Sequence, residues 1–520
     1  MSRTTISEHG DARAREDGAD ADGEGLRRAS SGVALVVAAG AAALLAVGAF
    51  LGLYVRPTSD DWCALWKTRD MGVLGITADF YGTQNGRVTN AFLTGLIYTG
   101  DMRGPKLLPA VLVVALGGGL FFLGRAALRA LGLPRPPAAP LVAAAALLSA
   151  LLFFAGTRTY QVLLWAPATI SHTLPSVIGL WAVLAAVRAA HGAPRWARGA
   201  AVGSALVTGA ALGMLSEPFT LVAGLLAATT GVLCLPRLGW TQDRYVSTWC
   251  AAACLGLATG LALLYTSPGA RWRREQHPQE PLSMAQIGET FHDWWRVWQT
   301  IGGQGAYAGA VAVGVLLGLA LVAVRPERDR TGGRDRPAGL PPRRLLRVVV
   351  LLPVPLVALA SLAVVHGLRS GYGDTGWTYG RTWTSFLFPL LLALCAYGTW
   401  GGHLLGRRLL TPVPRPAARA AALVATGAVA LGGAAALVQP VYDLTTATVV
   451  RSVAWDRQNA RIRAEAAAGA RDVAYRPLLI GGLSEPLFAS SYERDWAARC
   501  TATYYGVDRI HRPPDTPRTP

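Results

Sequence analysis

Two adjacent carboxylates, Asp60 and Asp61, stand just after an apolar run, in Pro57-Thr58-Ser59-Asp60-Asp61-Trp62. Carboxylates at a membrane boundary are costly unless solvated or used. Neighbours in a chain cannot point the same way. One can therefore serve as a general base while the other orients it or binds a cation; a solvated loop start is the plain alternative. Further along comes Tyr81-Gly82-Thr83-Gln84-Asn85-Gly86-Arg87. Asn85-Gly86 reads as a turn, and Asn85 joins the substrate-binding candidates. Arg87 opens an apolar segment, where a guanidinium can pair with Asp60 or Asp61 or hold a phosphate. Glu217 links two apolar runs in Leu215-Ser216-Glu217-Pro218-Phe219. A carboxylate there faces a cavity or a cation more readily than lipid. Ser267-Pro268-Gly269-Ala270-Arg271-Trp272-Arg273-Arg274 follows. Its arginines call for an anionic headgroup or a pyrophosphate, or for Glu275 and Glu280, to offset them. His172 and Arg381 lie in further loops and can complete a site. No Cys or His set has zinc spacing within a soluble segment.

These residues need elements to position them. The chain has 520 residues, is 52% hydrophobic and 15% charged, and has a mean hydropathy of +0.34. Soluble domains carry about 25% charged residues, so the deficit points to a membrane protein. The net charge of +18 is spread between apolar runs and forms no stripe for nucleic acid. Span-length apolar runs near residues 32–55, 106–124, 139–156, 174–190, 200–216, 219–235, 246–265, 306–324, 347–366, 383–402 and 420–438 predict an all-α polytopic membrane protein with about 11 transmembrane helices. Arginine dominates alternate loops: Arg27 and Arg28, then Arg125, Arg129 and Arg135, then Arg188, Arg195 and Arg198, then Arg237 and Arg244, the 325–347 stretch, and finally Arg407, Arg408, Arg415 and Arg419. The positive-inside rule then puts the N-terminus in the cytoplasm and the C-terminus outside a cell membrane.

The expected organisation is a disordered cytoplasmic tail over 1–31 and a transmembrane domain over 32–438. The latter has extracytoplasmic loops at 56–105 and 267–305. A small α/β extracytoplasmic domain follows over 439–520. Val88 to Gly100 is apolar but short, and reads as an interfacial helix. Trp272, Trp294, Trp295 and Trp298 read as interfacial anchors or as a wall for a lipid substrate. Pro353 and Pro355 are placed to break the ninth span. Of six cysteines, Cys234, Cys250, Cys254 and Cys395 fall in or beside spans as packing residues. Cys63 and Cys500 fall outside, where a disulfide is permitted. A bond between them would clamp the terminal domain over Asp60 and Asp61; the alternative is two free thiols.

The motifs in this order resemble a family of bacterial multi-pass membrane proteins related to GT-C type glycosyltransferases. The double acid after the first span, Asn85-Gly86-Arg87, Glu217-Pro218 and the Pro268-Gly269 loop carry the resemblance. So do Ala454-Trp455-Asp456-Arg457-Gln458 and Thr503-Tyr504-Tyr505-Gly506-Val507. It covers roughly residues 32–512. The chain departs from the pattern at Ala270 and Ser216, where Asn is expected. The resemblance implies a GT-C-like fold and transfer of a sugar from a polyprenyl-phosphate donor to a cell-envelope glycan or protein acceptor at the outer face. Asp60 or Asp61 would remove the acceptor proton, and arginines or a divalent cation would stabilise the leaving phosphate. Two rival readings remain. A transporter or flippase of a lipid-linked precursor would need charged or broken helices at mid-membrane depth. A non-catalytic assembly protein would tolerate replacement of both acids.

Overall fold

Uncharged runs of Ala, Leu, Val and Gly can satisfy their backbone in lipid only by closing hydrogen bonds within the segment, so they form helices. The computed structural model describes residues 5–191, 193–238, 243–276, 283–322, 351–410, 416–480, Tyr492 and 495–513. Its helices are α1 Thr5–Leu51, α2 Asp60–Thr83, α3 Val88–Tyr98, α4 Arg103–Ala130, α5 Ala138–Phe154, the single turn α6 Ala166–Ala168, α7 Leu174–Ala190, α8 Arg195–Gly213, α9 Glu217–Leu233 and α10 Tyr245–Thr266. They continue as α11 Pro268–Gln276, α12 Met284–Gly302, α13 Ala308–Val322, α14 Pro353–Tyr372, α15 Thr384–Leu410, α16 Pro416–Ala435, α17 Val438–Ala467 and α18 Trp496–Tyr505. Two short strands, β1 Asp472–Ala474 and β2 Arg509–His511, pair in parallel with Val473 opposite Ile510.

Among the described residues, eight helices are long and apolar enough to cross a membrane. The protein is therefore helical and polytopic in character. Three shorter apolar helices, α3, α5 and α9, lie among them. At 1.5 Å per residue the 11 residues of α3 reach only about 16 Å, half of a hydrocarbon core. Glycines allow the tightest helix pairs. A Cβ on Gly209 or Gly213 would strike the α10 backbone, and one on Gly314 or Gly318 would strike α15.

Helix α1 begins at Thr5, within the 1–31 segment. Its many Ala, Arg and Glu residues are good helix formers, and extending an existing helix adds one hydrogen bond per residue fixed. Pro353 stands at the first turn of α14, where a missing N–H costs nothing, and the bend at Leu352 after a helical Leu351 interrupts the ninth apolar run there, as expected. The arginine-rich 325–347 loop, Glu280 and Arg415 lie outside the described residues. The loop over 267–305 carries two helices, α11 and α12. On α12, Trp294 and Trp298 both donate to the Ser361 hydroxyl, at 2.8 and 3.1 Å, while Trp272 and Trp295 are exposed.

Candidate functional site

The site is built where α2 begins. Ser59 caps that helix with φ +53° and is fully buried. A non-glycine residue held there costs about 1–3 kcal/mol. The turn sends the two carboxylates into different surroundings. Asp61 is buried and pinned: its Oδ2 accepts from the Thr58 N–H at 2.9 Å, and the Tyr98 hydroxyl donates to Oδ1. Burial pushes its pKa up to about 7, against the pull of those two bonds. Asp60 keeps a partly open edge and has no hydrogen bond or ion pair among the described residues. Burial raises its pKa too, while Arg381, Arg87 and Arg273 draw it down. Three arginines from three separate loops therefore share the field of one free carboxylate.

Arg87 and Arg381 are held differently, and Arg273 is exposed. Arg87 grips Glu217 side-on, with Nη2 to Oε2 at 2.7 Å and Nε to Oε1 at 3.3 Å. The loop before it is pressed against the start of α11. Gly86 has φ +74°, and a Cβ there would lie 2.6 Å from the Leu264 carbonyl oxygen; a Cβ on Gly269 would lie 2.7 Å from the Gln84 nitrogen. Only glycine permits this backbone contact. Asn85 serves the turn, its Oδ1 accepting from the Arg87 N–H at 3.1 Å. Arg381 lies between the rings of Trp165 and Tyr379, at 5.3 and 5.1 Å, and reaches Gln161 Oε1 at 3.3 Å. The Thr384 hydroxyl ties this segment to the His172 carbonyl at 3.0 Å. His172 is buried beside Arg381 and Arg87, and its Nδ1 has no partner among the described residues. The buried hydroxyls of Thr58, Ser59 and Ser216 are likewise unpaired there. Buried polar atoms without a partner are unusual and mark a place where a polar partner is missing.

Asp60, Arg87, His172, Glu217 and Arg381 are thus brought together, while Arg273 is exposed and reaches Asp60 through its charge alone. Arg271 is exposed and touches none of them, and Asp61 faces Tyr98 rather than the arginines. Sequence reasoning missed Tyr98, Trp165, Tyr372 and Tyr379. Tyr372 stacks on Tyr379 at 4.4 Å, and Arg381 lies over the Tyr379 ring, so an aromatic pair flanks that arginine. Tyr379 sits close to Arg381 in sequence, but nothing in the spacing announced the ring sandwich.

The terminal α/β unit covers the other side of α2. Cys63 and Cys500 form a disulfide, with Cα atoms 4.9 Å apart. Trp62, fully buried, meets Trp455, Tyr475, Tyr504 and Tyr505 with ring centroids between 5.3 and 6.1 Å. Arg56 pairs side-on with Asp456 at 2.7 and 2.8 Å, and Arg451 donates to the carbonyls of Arg56 and Pro57. The two terminal motifs singled out in the sequence thus fasten the segment that carries Asp60.

Among the described residues no three His, Cys, Asp or Glu side chains converge on a metal position. The positive charge beside Asp60 comes from arginine. Comparison of the chain with protein families, with characterised proteins and with solved structures returns no match. The chemistry must be argued from the site.

Proposed function

We propose that the protein is a GT-C-like glycosyltransferase that moves a sugar from a polyprenyl-phosphate donor to a cell-envelope acceptor at the outer membrane face. One observation carries the reading: a carboxylate free of partners stands among three arginines while its neighbour is fixed. In this reading Asp60 takes the proton of an acceptor hydroxyl. The acceptor oxygen bonds to the anomeric carbon, the carbon–oxygen bond to phosphate breaks, and the phosphate leaves with the electron pair. Arg87, Arg381 and Arg273 neutralise the charge that builds on it. Asp61 positions the turn.

An apolar groove of about 470 Å³ supports a lipid-borne donor. It is lined by Leu221, Leu225, Ile287, Phe291 and Leu359, among others. Leu221 lies one helical turn beyond Glu217 on α9, so an isoprenoid chain in the groove would place its phosphate near Arg87. The reading also takes eleven spans, an inside N-terminus and an outside C-terminus. Membranes containing the protein should transfer radiolabelled sugar from polyprenyl-phosphate hexose or pentose donors. Loss of transfer in Asp60→Asn, with the protein still inserted, is the expected result. Wild-type rates in that variant would end the proposal.

A further inference from the structure

Between Asp101 and Glu217 the sequence has no Asp or Glu, yet it carries eight arginines, at 103, 125, 129, 135, 158, 188, 195 and 198. Three of them meet at the end of α4 far from Asp61. The 28 residues of α4 span about 42 Å, and α4 starts just after Tyr98, which bonds Asp61. At its other end Arg125, Arg129 and Arg135 line a cavity of about 130 Å³ whose remaining wall includes Phe121, Leu128 and Leu141. All three arginines are exposed and none has an acidic partner among the described residues.

The cavity has a fixed shape. Gly124 brings α4 against α5, so that a Cβ there would lie 3.0 Å from Leu141. The helix is closed by a left-handed Gly132, with the Gly132 N–H bonded to the Arg129 carbonyl and the Leu133 N–H to the Leu128 carbonyl. Arg135 then sits between Pro134 and Pro136, which restrict its backbone and lower the entropy lost on binding. Arg125 lies 5.7 Å over the Phe121 ring, and next to it Arg188 lies 5.4 Å over Phe122, itself packed on Trp181. Cations on aromatic faces at the end of apolar helices mark headgroup depth. Leu128 and Leu141 join Leu317 and Leu321 in an apolar cluster beneath.

We propose that Arg125, Arg129 and Arg135 hold the phosphate of an anionic phospholipid, whose acyl chain lies on the apolar wall of Phe121, Leu128 and Leu141. Planar guanidinium forks suit a phosphodiester, and basic pockets between membrane helices suit such headgroups. A free phosphate offers the same anionic oxygens but nothing for the apolar wall. The site is separate from Asp60 and does not rest on the glycosyltransferase reading.

The test uses the full chain in neutral detergent, with phosphatidylglycerol, phosphatidylcholine or inorganic phosphate added. Thermal unfolding and native mass spectrometry are the readouts. Phosphatidylglycerol should raise the unfolding midpoint and stay bound, and the other two should do neither. The triple variant R125Q/R129Q/R135Q should lose the shift, and R195Q/R237Q/R244Q, with the same charge removed elsewhere, should keep it. If the first triple variant does not fold, R135Q alone, in the exposed loop, should weaken phosphatidylglycerol binding by about tenfold. Three results overturn the proposal: an undiminished shift in the cavity variants, an equal loss in the control variant, or a full shift from inorganic phosphate in the wild type.

Discussion

At the end of the bundle that holds Asp60, polar contacts join residues far apart in sequence. Arg56 meets Asp456, Arg381 meets Gln161, Thr384 meets His172 and Arg87 meets Glu217. At the other end the bonds are shorter in reach: Arg198 pairs with Asp243 and caps the carbonyls of Ala189 and Ala190, and Tyr245 reaches Ala186. The second set closes helix ends and adjacent turns. The first set ties several elements to one another, which is the arrangement a reactive site needs, because each working group must be supported by another element. The two ends also differ in charge. Carboxylates and arginines mix around Asp60, whereas the cavity at Arg125 has arginine alone. A group able to exchange a proton thus stands at one end, and only fixed positive charge lines the cavity at the other.

The sharpest way to break this comparison is to exchange the two acids. Asp60→Asn should cut transfer by about 10²–10⁴-fold while leaving unfolding unchanged. Asp61→Asn should instead lower the unfolding midpoint, and Tyr98→Phe should reproduce that effect. A larger activity loss in the Asp61 variant would reverse the roles.

The next effect belongs to the clamp. Cys63→Ser should cost about 2–5 kcal/mol of stability in the terminal unit, read as faster proteolysis between α17 and α18. Reducing agent should do the same to the wild type and nothing further to the variant. Arg87→Gln comes third. It leaves a half-buried Glu217 without its cation and should cost about 1–3 kcal/mol, with a raised KM for the lipid donor. Arg87→Lys should rescue it only in part, since the side-on contact uses two nitrogens. By contrast, the exposed Arg198–Asp243 pair should give up no more than about 1 kcal/mol, with transfer unaffected.

The smallest effect is in pH. Asp60 must be ionised to act as a base. Because burial raises its pKa, transfer should fall on acidification at a pH above the usual carboxylate range. Arg381 draws that pKa down, so Arg381→Gln should move the acid limb to higher pH. A limb that stays in place in rate–pH profiles would show that Asp60 is not the titrating group.

The helices were largely legible because lipid leaves an apolar run no other way to satisfy its backbone. Each of the eleven expected runs overlaps a helix among the described residues, although α5, α8 and α9 fall outside the eight that are long and apolar enough to cross a membrane. Arg87, Glu217 and Arg381 stood out in the sequence because each is a charge beside an apolar run. The partners did not. Nothing in Ser59 signals a positive φ, and Tyr98 looks like any interfacial tyrosine until it meets Asp61. Lys67 pairs with Asp79 because α2 bends at Gly72, where φ is +69°. The sequence shows that glycine but not the direction of the bend.

The bond between Cys63 and Cys500 spans 437 positions. Asp60 is made early, yet the covalent hold on its segment needs a thiol that follows every long apolar helix in the chain. A polypeptide halted before α18 therefore carries the carboxylate and all three arginines but not the tie that steadies them. The linkage acts as a record of synthesis: it can form only after the last long apolar helix among the described residues has been made.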